Sequence, residues 1–151
     1  KTAFYGAMKT LESSRPLVAA GAVGIARAAY EYALDYARKR KAFGSPIAKK
    51  QAIAFMLADM KTKIDAARLL TWRAASMADA GRTHTAESAM AKLFASESSV
   101  EVALEAIQIH GGYGYVTDFP VERIYRDVRV CQIYEGTSEI QRLVIGRALA
   151  G

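Results

Sequence analysis

Three long stretches of this chain, residues 14–40, about 47–80 and from 85 to about 110, place apolar residues every three or four positions. Between them nothing alternates with period two for long enough to make a strand. In the first stretch Leu17, Gly21, Gly24, Ala28 and Tyr32 share one helical face, and their small size predicts a close helix crossing. Ser14 is placed to cap that helix, with Pro16 in its first turn. The second carries Ile53, Leu57, Met60, Ile64, Ala67 and Leu70 or Thr71 on one stripe and stops at Gly81, suited to a left-handed cap. The third begins at Thr85, with Met90, Leu93, Val100, Leu104 and Ile107 as its expected face, and ends at Gly111-Gly112. A short piece starts at Pro120-Val121-Glu122-Arg123, and a last helix at Ser138, where Ser138 and Gln141 have capping-box spacing. Long helices on short connections predict an all-α fold: an antiparallel four-helix bundle with an additional short C-terminal helix.

Composition narrows the function classes. The 151 residues, 52% hydrophobic and 24% charged, suffice for one domain with a core. A net charge of +6 is spread along the chain, and no dense basic tract interleaves with aromatics, so nucleic acid is not an expected partner. The single cysteine, Cys131, excludes an intrachain disulfide framework, fits a reducing compartment, and reads as a buried structural thiol. No secretory apolar region and no uncharged apolar run of about 18 residues occurs, so no membrane span is expected. The chain begins at Lys1 without Met, which reads as one domain cut from something longer.

Several constellations bear on chemistry. Neither His84 nor His110 has Glu three residues before it, which a di-metal carboxylate bundle requires, so no metal site is expected and both read as surface or capping side chains. No nucleophile elbow supports a Ser/His/Asp site. Glu97, Glu101 and Glu105 share a face and read as a solvated or partner-facing stripe. IHGGYGY, residues 109–115, is a glycine-rich helix exit without the dinucleotide fingerprint, yet its adjacent glycines would let a flat or anionic ligand approach the backbone. RKRKAFG, residues 38–44, ends a helix with cations, as the dipole favours, and adds an aromatic that could pack on a ring system. In IYEGTSEIQR, residues 133–142, Glu135 stands between an apolar pair and a turn. A carboxylate against apolar surface is a stronger base than one in water. Gly136 would admit a substrate, and Thr137 and Ser138 would turn hydroxyls and helix N–H groups toward an anion. Both a catalytic base and an ordinary loop glutamate fit the residues alone.

Taken together, SRPLVAAGAVGIA, RKAFGSPI with KKQAIAF, AMAKLFASE, AIQIHGGYGY, FPVERIYRDVRV and QIYEGTSEIQRLVIG, in this order and spacing, resemble the C-terminal domain of the acyl-CoA dehydrogenases. The resemblance covers the chain from about Phe4 onward. It implies that residues 1–151 are the third domain of an enzyme whose helical first and β-barrel second domains lie outside this chain. It implies α,β-dehydrogenation of an acyl-CoA thioester to the trans-2-enoyl-CoA, a carboxylate taking the α-proton and flavin N5 the β-hydrogen. Glu135 falls on the family's base, and its backbone N–H on a donor to the thioester carbonyl. In relatives resembling the isovaleryl and long-chain enzymes the base lies in the first helix, at about Ser14 here. Serine cannot serve, which groups this chain with the straight short- and medium-chain type.

By position the resemblance further implies that Arg40 and Phe43 reach the FAD of a neighbouring subunit, Arg40 on its pyrophosphate, with Gln51 in the same patch. Gln108, Gly111 and Gly112 would lie along the adenosine diphosphate part, and Thr137 and Glu139 would touch the flavin within the subunit. Glu12, Arg15, Tyr134 and Gly136 would lie near the substrate. Ala42 stands where Thr is frequent, removing one hydroxyl, and Glu139 where Gln, Asn or Glu occur. Shared sites imply a homotetramer, a dimer of dimers, with electron-transfer flavoprotein as acceptor, in bacterial cytoplasm or mitochondrial matrix. An oxidase using oxygen, a non-catalytic helical subunit and a nitroalkane-type substrate are the competing readings; an intact Glu135 disfavours the last two.

Overall fold

The computed structural model describes residues 2–150. Five α-helices carry the chain: α1 Thr2–Lys39, α2 Gln51–Asp79, α3 Thr85–His110, α4 Val121–Arg129 and α5 Ser138–Ala150. The fold is all-α, as expected. Short connections make α2 antiparallel to both α1 and α3, which run parallel to each other, and α4 and α5 both pack on α3, which is the central element.

The α1–α2 connection contains an element the periodicity does not announce. Lys41–Ala42 and Ser45–Pro46 form a two-residue-per-strand antiparallel hairpin, pairing Lys41 with Pro46 and Ala42 with Ser45. Its loop residues Phe43 and Gly44 have φ of 51° and 80°, the positive pair a tight two-residue hairpin turn demands. A 3₁₀ turn, Ile47–Lys49, then leads into α2. Gly81 closes α2 with φ 65°, and Gly111 closes α3 with φ 60°, as their positions predict.

The buried faces depart from the sequence reading at three points. Helix α1 runs back to Thr2, so Ser14 is not a cap and Pro16 lies inside the helix. Proline has no N–H, so the Glu12 carbonyl loses its i+4 donor there. The face of α1 turned to the core is Ala19, Ala22, Val23, Ala26, Ala29, Ala33 and Ala37. Leu17, Gly21, Gly24 and Tyr32 point outward instead. Alanine already permits close packing, so the glycine stripe is not needed for it. In α3, Leu104 is 47% exposed, while Ala91, Ala95, Val102, Ala103, Ala106 and Ile109 are buried. A helix enclosed by four neighbours is selected for small size on most of its sides, and its large groups Phe94 and Leu104 stay exposed. Helix α2 follows its predicted stripe through Leu57, Met60, Ile64, Ala67 and Thr71.

By length and composition Thr10–Lys39 is apolar enough to cross a bilayer. Its alanine face against the other helices accounts for that apolarity. Two of the three acids on the α3 stripe are paired: Glu97 with Arg142 of α5 at 2.6 Å, and Glu101 with Lys63 of α2 at 2.6 Å.

Candidate functional site

Helices α1, α3 and α5 converge on the turn that follows the 3₁₀ segment Val130–Gln132. Glu135 and Gly136 sit on this turn with φ of 57° and 94°. A non-glycine residue in the left-handed region is uncommon, and such strain gathers at functional sites. Three side chains hold the turn. Ser14 Oγ of α1 donates to Glu135 Oε2 at 2.6 Å. Lys92 Nζ of α3 donates to the Gly136 carbonyl at 2.7 Å. Gln141 Nε2 of α5 donates to the carbonyls of Glu135 and Gly136 at 3.2 and 2.9 Å. A side chain at Gly136 would be strained at φ 94°, and its Cβ, 2.8 Å from Gln141 Nε2, would push that amide off the turn. Gln141 thus does not close a capping box; its amide reaches the turn instead, and Ser138, whose Oγ is buried with no protein partner, begins α5.

Around the carboxylate lie groups from each element. Arg15 is 2% exposed and its Nε has no hydrogen-bond partner. Burial lowers its pKa, against the opposing pull of Glu12 and Glu135. Glu12 accepts a hydrogen bond from Thr85 Oγ1, which ties α1 to the start of α3. Tyr134 lies beside Glu135, its hydroxyl 3.6 Å from the buried Cys131 thiol, the structural cysteine expected from sequence. Desolvation, and then the Cys131 contact, push the Tyr134 phenol up to about 12 from 10.0. The stability gained by keeping that proton is therefore fully present below pH 10 and is lost as pH rises toward about 12. In an ultraviolet titration of the folded protein, Tyr134→Phe should remove absorbance change from the step at about pH 12. Thr137 and Glu139 stand at the α5 N-terminus, where a small cleft is shared with Arg129 and Glu97. The Glu139 carboxylate is held below its ordinary value by its own amide and the Thr137 hydroxyl.

A second cluster forms at the opposite end of α1 and α3. A cleft of about 560 Å³ is lined by Arg40, Gln108, Gly111 and Gly112, with Tyr36 and Tyr113 among its walls. Arg40 lies over the Tyr113 ring, 5.8 Å from its centre. His110, expected as a surface or capping side chain, is 4% exposed: its ring stacks on Tyr36 at 4.3 Å, and Nδ1 bonds the Ala106 carbonyl at 2.8 Å. Neither glycine has an atom within 4 Å of where a Cβ would stand, so the backbone borders open space. Phe43 and Gln51 do not line this cleft. Phe43 projects from the hairpin tip, 97% exposed, with Lys50 Nζ 5.9 Å from its ring centre, and Gln51 opens α2 at the surface.

The sequence-predicted residues therefore fall into two groups. Glu12, Arg15, Tyr134, Glu135 and Gly136 gather at one end, with Thr137 and Glu139 beside them. Arg40, Gln108, Gly111 and Gly112 gather at the other. From Ser14 to Arg40 the separation along α1 is about 39 Å at 1.5 Å per residue. Sequence reasoning missed Lys92, Gln141 and the bond from Ser14. The only signal for Lys92 was a lone cation in the apolar run AMAKLFA.

Comparison with known proteins places residues 4–150 on the family model described as acyl-CoA dehydrogenase, C-terminal domain. The short-chain specific acyl-CoA dehydrogenase of mouse mitochondria is 56% identical over 94% of this chain and 34% of its own length. The caffeyl-CoA reductase-Etf complex subunit CarC of Acetobacterium woodii is 52% identical over 97% of this chain and 38% of its own. The butyryl-CoA dehydrogenase structure from Megasphaera elsdenii superposes with a TM-score of 0.95 at 48% identity, over 96% of this chain and 38% of that one. The chain thus spans between a third and two fifths of these relatives.

Proposed function

The chain belongs to the acyl-CoA dehydrogenase family, and from that premise we propose that it supplies the base and part of the cofactor site of a flavoenzyme converting an acyl-CoA thioester to its trans-2-enoyl-CoA. The observation that carries this reading is the Glu135 carboxylate, fixed by Ser14 on a left-handed turn beside buried Arg15. A C–H next to a thioester is a weak acid. Its removal needs a carboxylate with a free oxygen and a donor for the enolate oxygen that develops. Ser14 occupies Glu135 Oε2, which leaves Oε1 to take the α-proton. Among the described residues the Glu135 amide meets no backbone acceptor, so it is available to the thioester carbonyl. Arg15 offsets the negative charge, and Tyr134 covers the acyl side.

FAD, when bound, supplies the acceptor for the β-hydrogen. The residues present fit it: a cation at Arg40, side-chain-free backbone at Gly111 and Gly112, a polar Gln108, and an exposed ring at Phe43 with Gln51 nearby. Thr137 and Glu139 would hold its flavin end at the base. Because the two groups lie about 39 Å apart along one helix, each cofactor would draw them from different chains. This supports a homotetramer built as a dimer of dimers. Likeness to a subunit of a reductase-Etf complex supports electron-transfer flavoprotein as the redox partner. It also favours a second reading, the reverse reaction, in which protonated Glu135 returns the proton to the α-carbon of a conjugated thioester.

Anaerobic addition of butyryl-CoA or octanoyl-CoA to the full-length flavoprotein should bleach the flavin's visible band, and the faster substrate ranks chain length. Full flavin occupancy with no bleaching by any acyl-CoA would reject the dehydrogenation. Arg40→Ala should weaken FAD binding about ten- to a hundredfold, the loss expected of a charge-assisted hydrogen bond, measured by flavin fluorescence on refilling the apoprotein.

A further inference from the structure

Lys92 has no accessible surface, and its ammonium donates to a neutral carbonyl, that of Gly136, at 2.7 Å. A buried cation held by one neutral acceptor is a poor source of stability. A methionine of similar length would fill the same space without the desolvation penalty. The ammonium nonetheless stands one residue from Glu135, and Gln141 braces the same Gly136 carbonyl together with that of Glu135.

We propose that Lys92 is a positioning residue for Glu135: its bond to the Gly136 carbonyl fixes the left-handed turn that aims the carboxylate, and its buried ammonium places positive charge beside it. The inference rests on Glu135 being the base. The charged and titratable groups facing Glu135 are Arg15 and Glu12 from α1, Lys92 from α3, Cys131 and Tyr134 from the preceding segment, and Glu139 from α5. Two of them, Arg15 and Lys92, are buried cations, set against the carboxylates of Glu12 and Glu139. Burial lowers the Lys92 pKa, and Cys131, Glu135 and Glu139 oppose that fall while Arg15 adds to it. The structural link between Lys92 and Glu135 is the bond to the carbonyl of the adjacent Gly136.

The test uses Lys92→Met, Lys92→Gln and Lys92→Arg in the full-length flavoprotein. Gln retains a donor for the carbonyl without charge, and Arg retains charge. The first readout is the infrared carboxylate band that disappears in Glu135→Gln, titrated in each variant. Its midpoint should rise by about one pH unit in the Met and Gln variants and stay in place in the Arg variant, the sign expected when a nearby cation is removed. The acid limb of kcat/KM should move with it, about tenfold in rate at a pH on that limb. The melting temperature of the Met variant should hold or rise. An unmoved midpoint, an equal shift in all three, or loss of folded protein in all three overturns the proposal in favour of a structural role. The infrared midpoint is read without turnover. Activity retained in Glu135→Gln would therefore reject the base assignment separately.

Discussion

Glu135→Gln in the full-length protein should slow flavin reduction by acyl-CoA about a thousandfold while leaving FAD content and melting temperature unchanged. The substitution keeps the side chain's shape and removes its capacity to take a proton at neutral pH. Gln accepts the Ser14 hydrogen bond through its amide oxygen, so the contact to α1 survives. The backbone demand is the same, since neither residue has a branched Cβ to worsen a φ of 57°. Arg15 and Lys92 would still face the site, so binding of the thioester should change little. A stopped-flow record under anaerobic conditions separates the two quantities: the limiting bleaching rate falls, and the half-saturating substrate concentration moves only slightly. Bleaching at the parent's rate would remove Glu135 from the mechanism.

Gly114→Ala should destabilise the protein by about 3 kcal/mol, the upper end of ordinary overpacking, and should lower FAD retention. A Cβ at Gly114 would stand 2.5 Å from the Ile107 carbonyl oxygen, 2.9 Å from its Cα and 3.1 Å from His110 Cβ. The two nearest atoms are backbone of the central helix, so no flexible side chain can yield. The 3₁₀ segment Gly111–Gly114 must instead lift off α3 and carry one wall of the Arg40 cleft with it. Gly146→Ala is the control. Its added methyl meets nothing within 4 Å, and it lies inside α5, where alanine is worth about 1 kcal/mol over glycine. Urea midpoints and flavin retention of the two variants should therefore move in opposite directions or differ sharply.

What was legible in the sequence followed rules that are local. Gly81 and Gly111 marked helix ends because only glycine takes a positive φ there without strain. The α2 stripe was legible because that helix has one buried side and one open side. The α1 and α3 faces were not, because alanine and serine are buried there for their size and carry little hydropathy signal. Ser14 and Pro16 looked like a helix start for the same local reason, yet the helix continues through them and the serine hydroxyl serves a carboxylate 121 positions away. Motif likeness placed Glu135, Arg40 and the glycines. It did not reveal Lys92 or Gln141, because their role is to hold backbone carbonyls, and such a contact has no spacing rule. The hairpin at Phe43 escaped because two residues per strand are too few to alternate.

The Phe43 hairpin has a consequence for the life of the chain in a cell. A phenylalanine 97% exposed on a turn, together with Leu17 at 73%, Trp72 at 61% and Phe55 at 59%, gives an unassembled chain several adhesive sites. Such surface attracts chaperones and proteases, and an orphaned subunit is removed in proportion to the time it spends alone. Under the proposed assembly of chains around a shared cofactor, the steady-state amount of protein would then follow the rate at which chains meet and take up that cofactor, as well as folding stability. Loss of abundance could thus arise from a substitution at the surface, far from any reacting atom.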